Sequence, residues 1–161
     1  MAVDTITEVR PYLTFKLGEE VFALDVAAVR EVLDFTTITK IPRTPEFMRG
    51  VINLRGSVVP VLDLRLAFNM PRTEKTVNTC IIVVEIAVEQ EHVIVGALAD
   101  SVLEVAELEP EHIQPAPSIG TTVKTEFIRG MGKRDSDFVM ILDLDRVFGA
   151  GELEMLKQSA A

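Results

Sequence analysis

The stretch Phe47-Met48-Arg49-Gly50-Val51-Ile52-Asn53-Leu54-Arg55-Gly56-Ser57-Val58-Val59-Pro60-Val61-Leu62-Asp63-Leu64-Arg65-Leu66-Ala67-Phe68 occurs twice in outline. Shifted by 80 residues, it lies without a gap over residues 127–148, and eight of the 22 pairs are identical. They are Phe47/Phe127, Arg49/Arg129, Gly50/Gly130, Val59/Val139, Leu62/Leu142, Asp63/Asp143, Leu64/Leu144 and Phe68/Phe148. Unrelated segments would share about one or two, so this is an internal repeat. A shorter echo sets Ala28-Val29-Arg30-Glu31-Val32 over Ser101-Val102-Leu103-Glu104-Val105. Within the first copy, Arg55-Gly56 separates two β-branched runs, the signature of a tight hairpin in which glycine supplies a positive φ. Asp63 and Asp143 follow the second run of each copy, where an aspartate caps a short helical turn.

The flanking sequence has the same texture. Residues 12–17 and 21–24 read as a hairpin around Gly18, residues 80–86 and 93–99 as another, and residues 127–131 and 138–142 as a fourth. Residues 25–33 suit a helix begun by Asp25 or a strand of Val29, Val32 and Leu33. Residues 153–158 carry a weak helical stripe. Many short strands with turn signals predict an all-β fold. Two like units of roughly 65 residues would each be marginal alone. The reading is therefore one domain over 10–150, with repeats near 12–72 and 77–149 whose strands can interleave, and a helical tail at 151–161.

Composition narrows function. The chain has 161 residues, a net charge of −9 and 48% hydrophobic residues. An acidic chain lacks the basic face that nucleic acid or an anionic membrane requires. No apolar run reaches the ~18–20 residues of a membrane span. One cysteine and no secretory leader point to a cytoplasmic setting. Catalytic candidates are weak: Cys80 opens an apolar strand, while His92 and His112 sit in charged turns. Gly130-Met131-Gly132-Lys133 lacks the outer glycine and the hydroxyl residue of a phosphate loop. A non-catalytic interaction module without metal or cofactor is the expectation. A groove for proline-rich peptides is disfavoured by one Tyr and no Trp.

The sequence of residues 48–65 strongly resembles the CheW family of bacterial chemotaxis coupling proteins, as do Ile41-Pro42-Arg43-Thr44-Pro45, Ile113-Gln114-Pro115-Ala116-Pro117 and Phe127-Ile128-Arg129-Gly130. The resemblance runs from about residue 12 to 148. It implies two five-stranded SH3-like barrels sharing a hydrophobic core. It also implies an adaptor between chemoreceptors and the histidine kinase CheA, reaching the membrane only through receptors and able to join other CheW copies in rings. The alternative within the family is a coupler for another motility or gene-regulatory pathway; with no receiver segment in the chain, a CheV-type role is not expected. By resemblance, Val29, Glu31, Gly50 and Arg55 map to the receptor-binding region, and Pro115, Pro117 and Ile119 to a kinase-facing loop. Ile119 is aliphatic where many relatives are aromatic.

Overall fold

β-branched runs broken by glycine and charged turns become antiparallel hairpins. In the computed structural model, which describes residues 9–88, 90–115, 127–134 and 137–149, β1 (Arg10–Leu17) and β2 (Glu20–Asp25) form the first. Gly18 turns it with φ +64°. The ambiguous segment after Asp25 resolves into both alternatives in miniature. The Asp25 carboxylate accepts from the Ala27 N–H and caps a single 3-10 turn, Val26–Ala28. Then β3 (Val29–Asp34) begins, as suits valines whose χ1 is restricted in helices. Next come β4 (Met48–Leu54), β5 (Ser57–Asp63) and α1 (Leu64–Ala67). The second half contributes β6 (Cys80–Val88), β7 (Glu91–Ala99), β8 (Ser101–Leu108), β9 (Ile113–Gln114), β10 (Ile128–Arg134), β11 (Asp137–Leu142) and α2 (Leu144–Gly149). Both aspartates of the repeat cap their helices as expected. Asp63 accepts from the Arg65 N–H, and Asp143 from the Arg146 N–H. The expected helix at 153–158 lies outside the described residues.

Two sheets result, ordered β3-β6-β7-β5-β4 and β8-β1-β2-β11-β10-β9. Each draws on both halves of the chain. After the hairpin β1–β2 the chain leaves its sheet, and β3 pairs with β6 of the other; after β6–β7, β8 returns to pair with β1. The hairpins of each sheet join through parallel contacts, β5 with β7 and β11 with β2. The sheets therefore exchange their third strands.

Five strands were expected in each barrel. One sheet has six, because the two-residue β9 pairs Gln114 with Met131. Its counterpart in the other sheet is a single bridge, Thr39 with Val51, 80 residues before Met131. The repeat extends to the irregularities: both copies carry a register shift at the glycine, between Met48 and Gly50 and between Ile128 and Gly130.

Among the described residues the apolar side chains form three clusters. Ile52, Val59, Val61, Ile81, Val83 and Leu98 line the interior of the five-stranded barrel. Tyr12, Ala23, Leu108, Val139 and Ile141 line that of the six-stranded one. The largest cluster lies between them. Through it run Phe15, Phe22, Phe68 and Phe127, with successive ring centroids 5.9, 5.8 and 6.4 Å apart. Fully burying one such ring is worth about 2–3 kcal/mol. The rings come from the first hairpin, the end of α1 and the start of the second copy, so this seam joins the two halves.

Candidate functional site

The turn between β4 and β5 aims one side chain. Arg55 and Gly56 both have positive φ, +50° and +88°, as a type I′ turn requires. The Asn53 side-chain oxygen accepts the Gly56 N–H at 2.8 Å and locks the turn. A non-glycine residue in the left-handed region carries about 1 kcal/mol of strain. Arg55 bears it while projecting its guanidinium toward β3.

There it meets Glu31. Arg55 Nη1 donates to Glu31 Oε1 at 3.3 Å and Nη2 donates to Oε2, a two-pronged contact. A bulge makes Glu31 available: the pairing of β3 with β6 slips between Val29 and Glu31, so that Arg30 and Glu31 both border one groove. Arg30 in turn pairs with Glu85 on β6, and His92 Nδ1 lies 3.4 Å from the same carboxylate. The Arg55 hydrogen bond holds the Glu31 carboxyl below its usual pKa, and Arg30 does the same for Glu85.

These charges rim an open groove of about 880 Å³. Its apolar lining comes from the half-buried Leu54, Pro60 and Ile94, over the buried Val59 and Val83 of the barrel interior. Val58 adjoins them and is 73% exposed. The arginine side chain of the Glu31–Arg55 pair is 72% exposed. Such exposed pairs add little to stability. An apolar trough with a fixed charge pair on its edge suits recognition of another macromolecule: the trough supplies contact area and the pair supplies orientation.

The other expected site residues fall elsewhere. Val29 is half-buried and packs on the central seam beneath β3. Gly50 is buried at the β4 bulge with φ +144°, and a Cβ there would lie 2.2 Å from the Thr39 carbonyl oxygen. It allows two backbones to approach and does not line the groove. Pro115 is exposed just after β9, while Pro117 and Ile119 lie outside the described residues. Arg30 and Glu85 are not singled out by the sequence, and His92 is weighed there only as a weak catalytic candidate. Writing out the β6–β7 register would have found two of them, since Glu85 opposes Ile94 and thus lies diagonal to His92.

Nothing at the groove resembles an activated nucleophile. Cys80 is buried in the central seam, and burial pushes its thiol pKa up, as befits an inert thiol. Glu109, Glu111 and His112 bring potential ligand atoms within 4.8 Å of one another, but all three are exposed. Among the described residues no helix is long and apolar enough to cross a membrane.

Known proteins share this two-sheet architecture. A family model described as the CheW-like domain matches residues 11–152. The chain is 32% identical to the chemotaxis protein CheW of Klebsiella aerogenes over 92% of its own length and 87% of that protein. It is 33% identical to the chemotaxis protein CheW of Rhizobium meliloti, over 90% and 91% respectively. The crystal structure of the scaffolding protein TtCheW from Thermoanaerobacter tengcongensis superposes with a TM-score of 0.79 at 36% identity, covering 90% of this chain and 96% of that one. With its paired barrels and its family match over nearly the whole length, the chain belongs to the CheW family of chemotaxis proteins.

Proposed function

We propose that this chain is a non-catalytic coupler that holds chemoreceptors against the histidine kinase CheA. The observation that carries the reading is the Glu31–Arg55 pair at the rim of an open apolar groove. A receptor's cytoplasmic tip, a helical hairpin with an apolar stripe, would lie in the groove. Glu31 and Arg55 would fix its orientation by exchanging their mutual hydrogen bonds for bonds to the receptor. Val29 seats β3 on the core, and Gly50 permits the bend of β4, so both act on the groove through the backbone. The kinase would be held elsewhere, by the segment that contains Pro115, Pro117 and Ile119. Signal would then pass as a change in relative position, with no bond made or broken in the coupler.

The test mixes the purified chain with the CheA regulatory domain and a receptor cytoplasmic fragment, followed by size-exclusion chromatography. A ternary complex is expected. Arg55→Asp should weaken receptor binding by about tenfold or more and leave the kinase complex in place. Ile119→Ser should do the reverse. Failure to form either binary complex would overturn the coupling role; undiminished receptor binding by Arg55→Asp would remove the groove from it.

A further inference from the structure

A second cavity, of about 380 Å³, shares no lining residue with the Glu31–Arg55 groove. Ile41, Pro45 and Leu66 give it an apolar lining, and Lys40, Arg43 and Arg72 border it with positive charge. All three cations are exposed. None makes an ion pair or side-chain hydrogen bond among the described residues. The fourth cation, Arg49, is already engaged, donating to Asp63 at 3.0 Å and to the Thr73 carbonyl at 3.1 Å. Glu46 is the one acid among the described lining residues.

Two features set this cluster apart from a random solvated surface. In a chain of net charge −9, acidic residues are abundant, yet three cations collect around one cavity without pairing with any described one. Second, Arg43 sits at φ +64°. The loop is pinned on both sides of it, by Thr44 Oγ1 donating to the Ile41 carbonyl at 2.9 Å and by the Met48 N–H donating to the Pro45 carbonyl at 3.0 Å. Left-handed non-glycine residues persist where surrounding structure imposes them, and they concentrate at functional sites. Arg43 thus repeats, at a different cavity, the backbone state of Arg55, but without an acidic partner among the described residues.

We propose that this cavity receives an acidic segment of a protein partner. Glutamate or aspartate carboxylates would bind across Lys40, Arg43 and Arg72, with guanidinium forks suited to paired oxygens. An apolar side chain of the same segment would rest on Ile41, Pro45 and Leu66. A peptide fits better than a small anion because an anion would use the rim and leave the apolar lining unoccupied. Cations drawn from two separate chain segments also suit a ligand with spaced charges. The proposal stands on this cavity alone and not on the coupling role.

The experiment is fluorescence anisotropy on the full chain with a labelled peptide of alternating glutamate and leucine. Saturable binding that weakens with added salt is expected, since exposed charge pairs are screened. The double variant Arg43→Glu/Arg72→Glu should lose about tenfold or more in affinity. Arg43→Gln/Arg72→Gln, whose fold is checked by its circular dichroism melt, should lose several-fold. Absence of binding to the unaltered chain would overturn the proposal, as would equal affinity in either folded variant. Displacement by inorganic phosphate as effective as that by unlabelled peptide would also overturn it and reassign the cavity to small anions.

Discussion

The hairpins β4–β5 and β10–β11 carry the same motif, yet the protein uses it differently in each barrel. In both, the aspartate after the second strand donates its N–H to the carbonyl of the phenylalanine that opens the motif, Asp63 to Phe47 at 2.6 Å and Asp143 to Phe127 at 2.9 Å. In both, the arginine two places beyond that phenylalanine pairs with the aspartate. Asp63 is fully buried, and its carboxylate accepts from Arg49, from the Thr73 N–H at 3.1 Å and from Thr73 Oγ1 at 2.7 Å. Asp143 keeps some exposure and faces Arg129 at 3.7 Å and Arg146 at 3.5 Å. The chain after α1 brings Thr73 onto the first copy and turns a helix cap into a buried lock. The charge pair at the hairpin tip diverges too. Glu31 stands over Glu104 and Arg55 over Asp135, so the second copy has acids at both places and cannot make an acid–guanidinium pair. Duplication supplied the frame, and a charge change at one hairpin tip makes the site one-sided.

The two glycines test this comparison hardest. Gly50→Ala places a Cβ 2.2 Å from the Thr39 carbonyl oxygen at a φ that side chains avoid, and would break the Thr39–Val51 bridge. A loss of about 4 kcal/mol in urea unfolding is expected. At Gly130 the φ is ordinary and the nearest atom is the Ile113 Cγ2 methyl, at 2.6 Å, which must shift with the two-residue β9, while the Gln114 carbonyl oxygen stays at 3.3 Å. About 2 kcal/mol is expected there. Equal losses would mean that the two bulges do the same structural work. The aspartates come next. Asp63→Ala strands the half-buried Arg49 and the buried Thr73, for about 3 kcal/mol. Asp143→Ala removes looser, partly exposed contacts, for about 1 kcal/mol. Reversal of that order in denaturant melts would overturn the account of Asp63 as a lock.

Local signals in the chain explain why so much of the frame was readable. Gly18 and Gly56 mark turns because only certain residues tolerate left-handed backbone, and each lies where a hairpin reverses. The offset of 80 residues predicted paired aspartate caps, and both exist. What could not be read is non-local. Nothing in residues 29–34 says that they pair with β6, or in residues 101–108 that they pair with β1, because either edge presents the same free backbone groups. Residues 25–33 were ambiguous because Asp25 stops capping after one turn, once the valines are better packed as strand. Glu31 and Arg55 lie 24 residues apart with no shared periodicity. Family resemblance grouped them, and the bulge at Arg30 explains how they meet.

The smallest expected effect concerns stability, and it isolates recognition from folding. Arg55→Ala removes an exposed pair, so the urea midpoint should be unchanged. Its consequence is electrostatic. The Arg55 hydrogen bond lowers the pKa of Glu31, so the pair is intact above the ordinary glutamate pKa and is lost as pH falls through the lower folded value. Measured by NMR titration, Glu31 should move up toward its ordinary value in Arg55→Ala. Receptor-fragment affinity of the unaltered chain should hold through mildly acidic pH and fall only below the depressed pKa. In Arg55→Ala that affinity should be lower at every pH. If Glu31 titrates at the same pH in both proteins, the pair is not formed in solution. The first barrel then has no charge feature that its sister copy lacks, and receptor recognition would have to rest on the apolar groove alone.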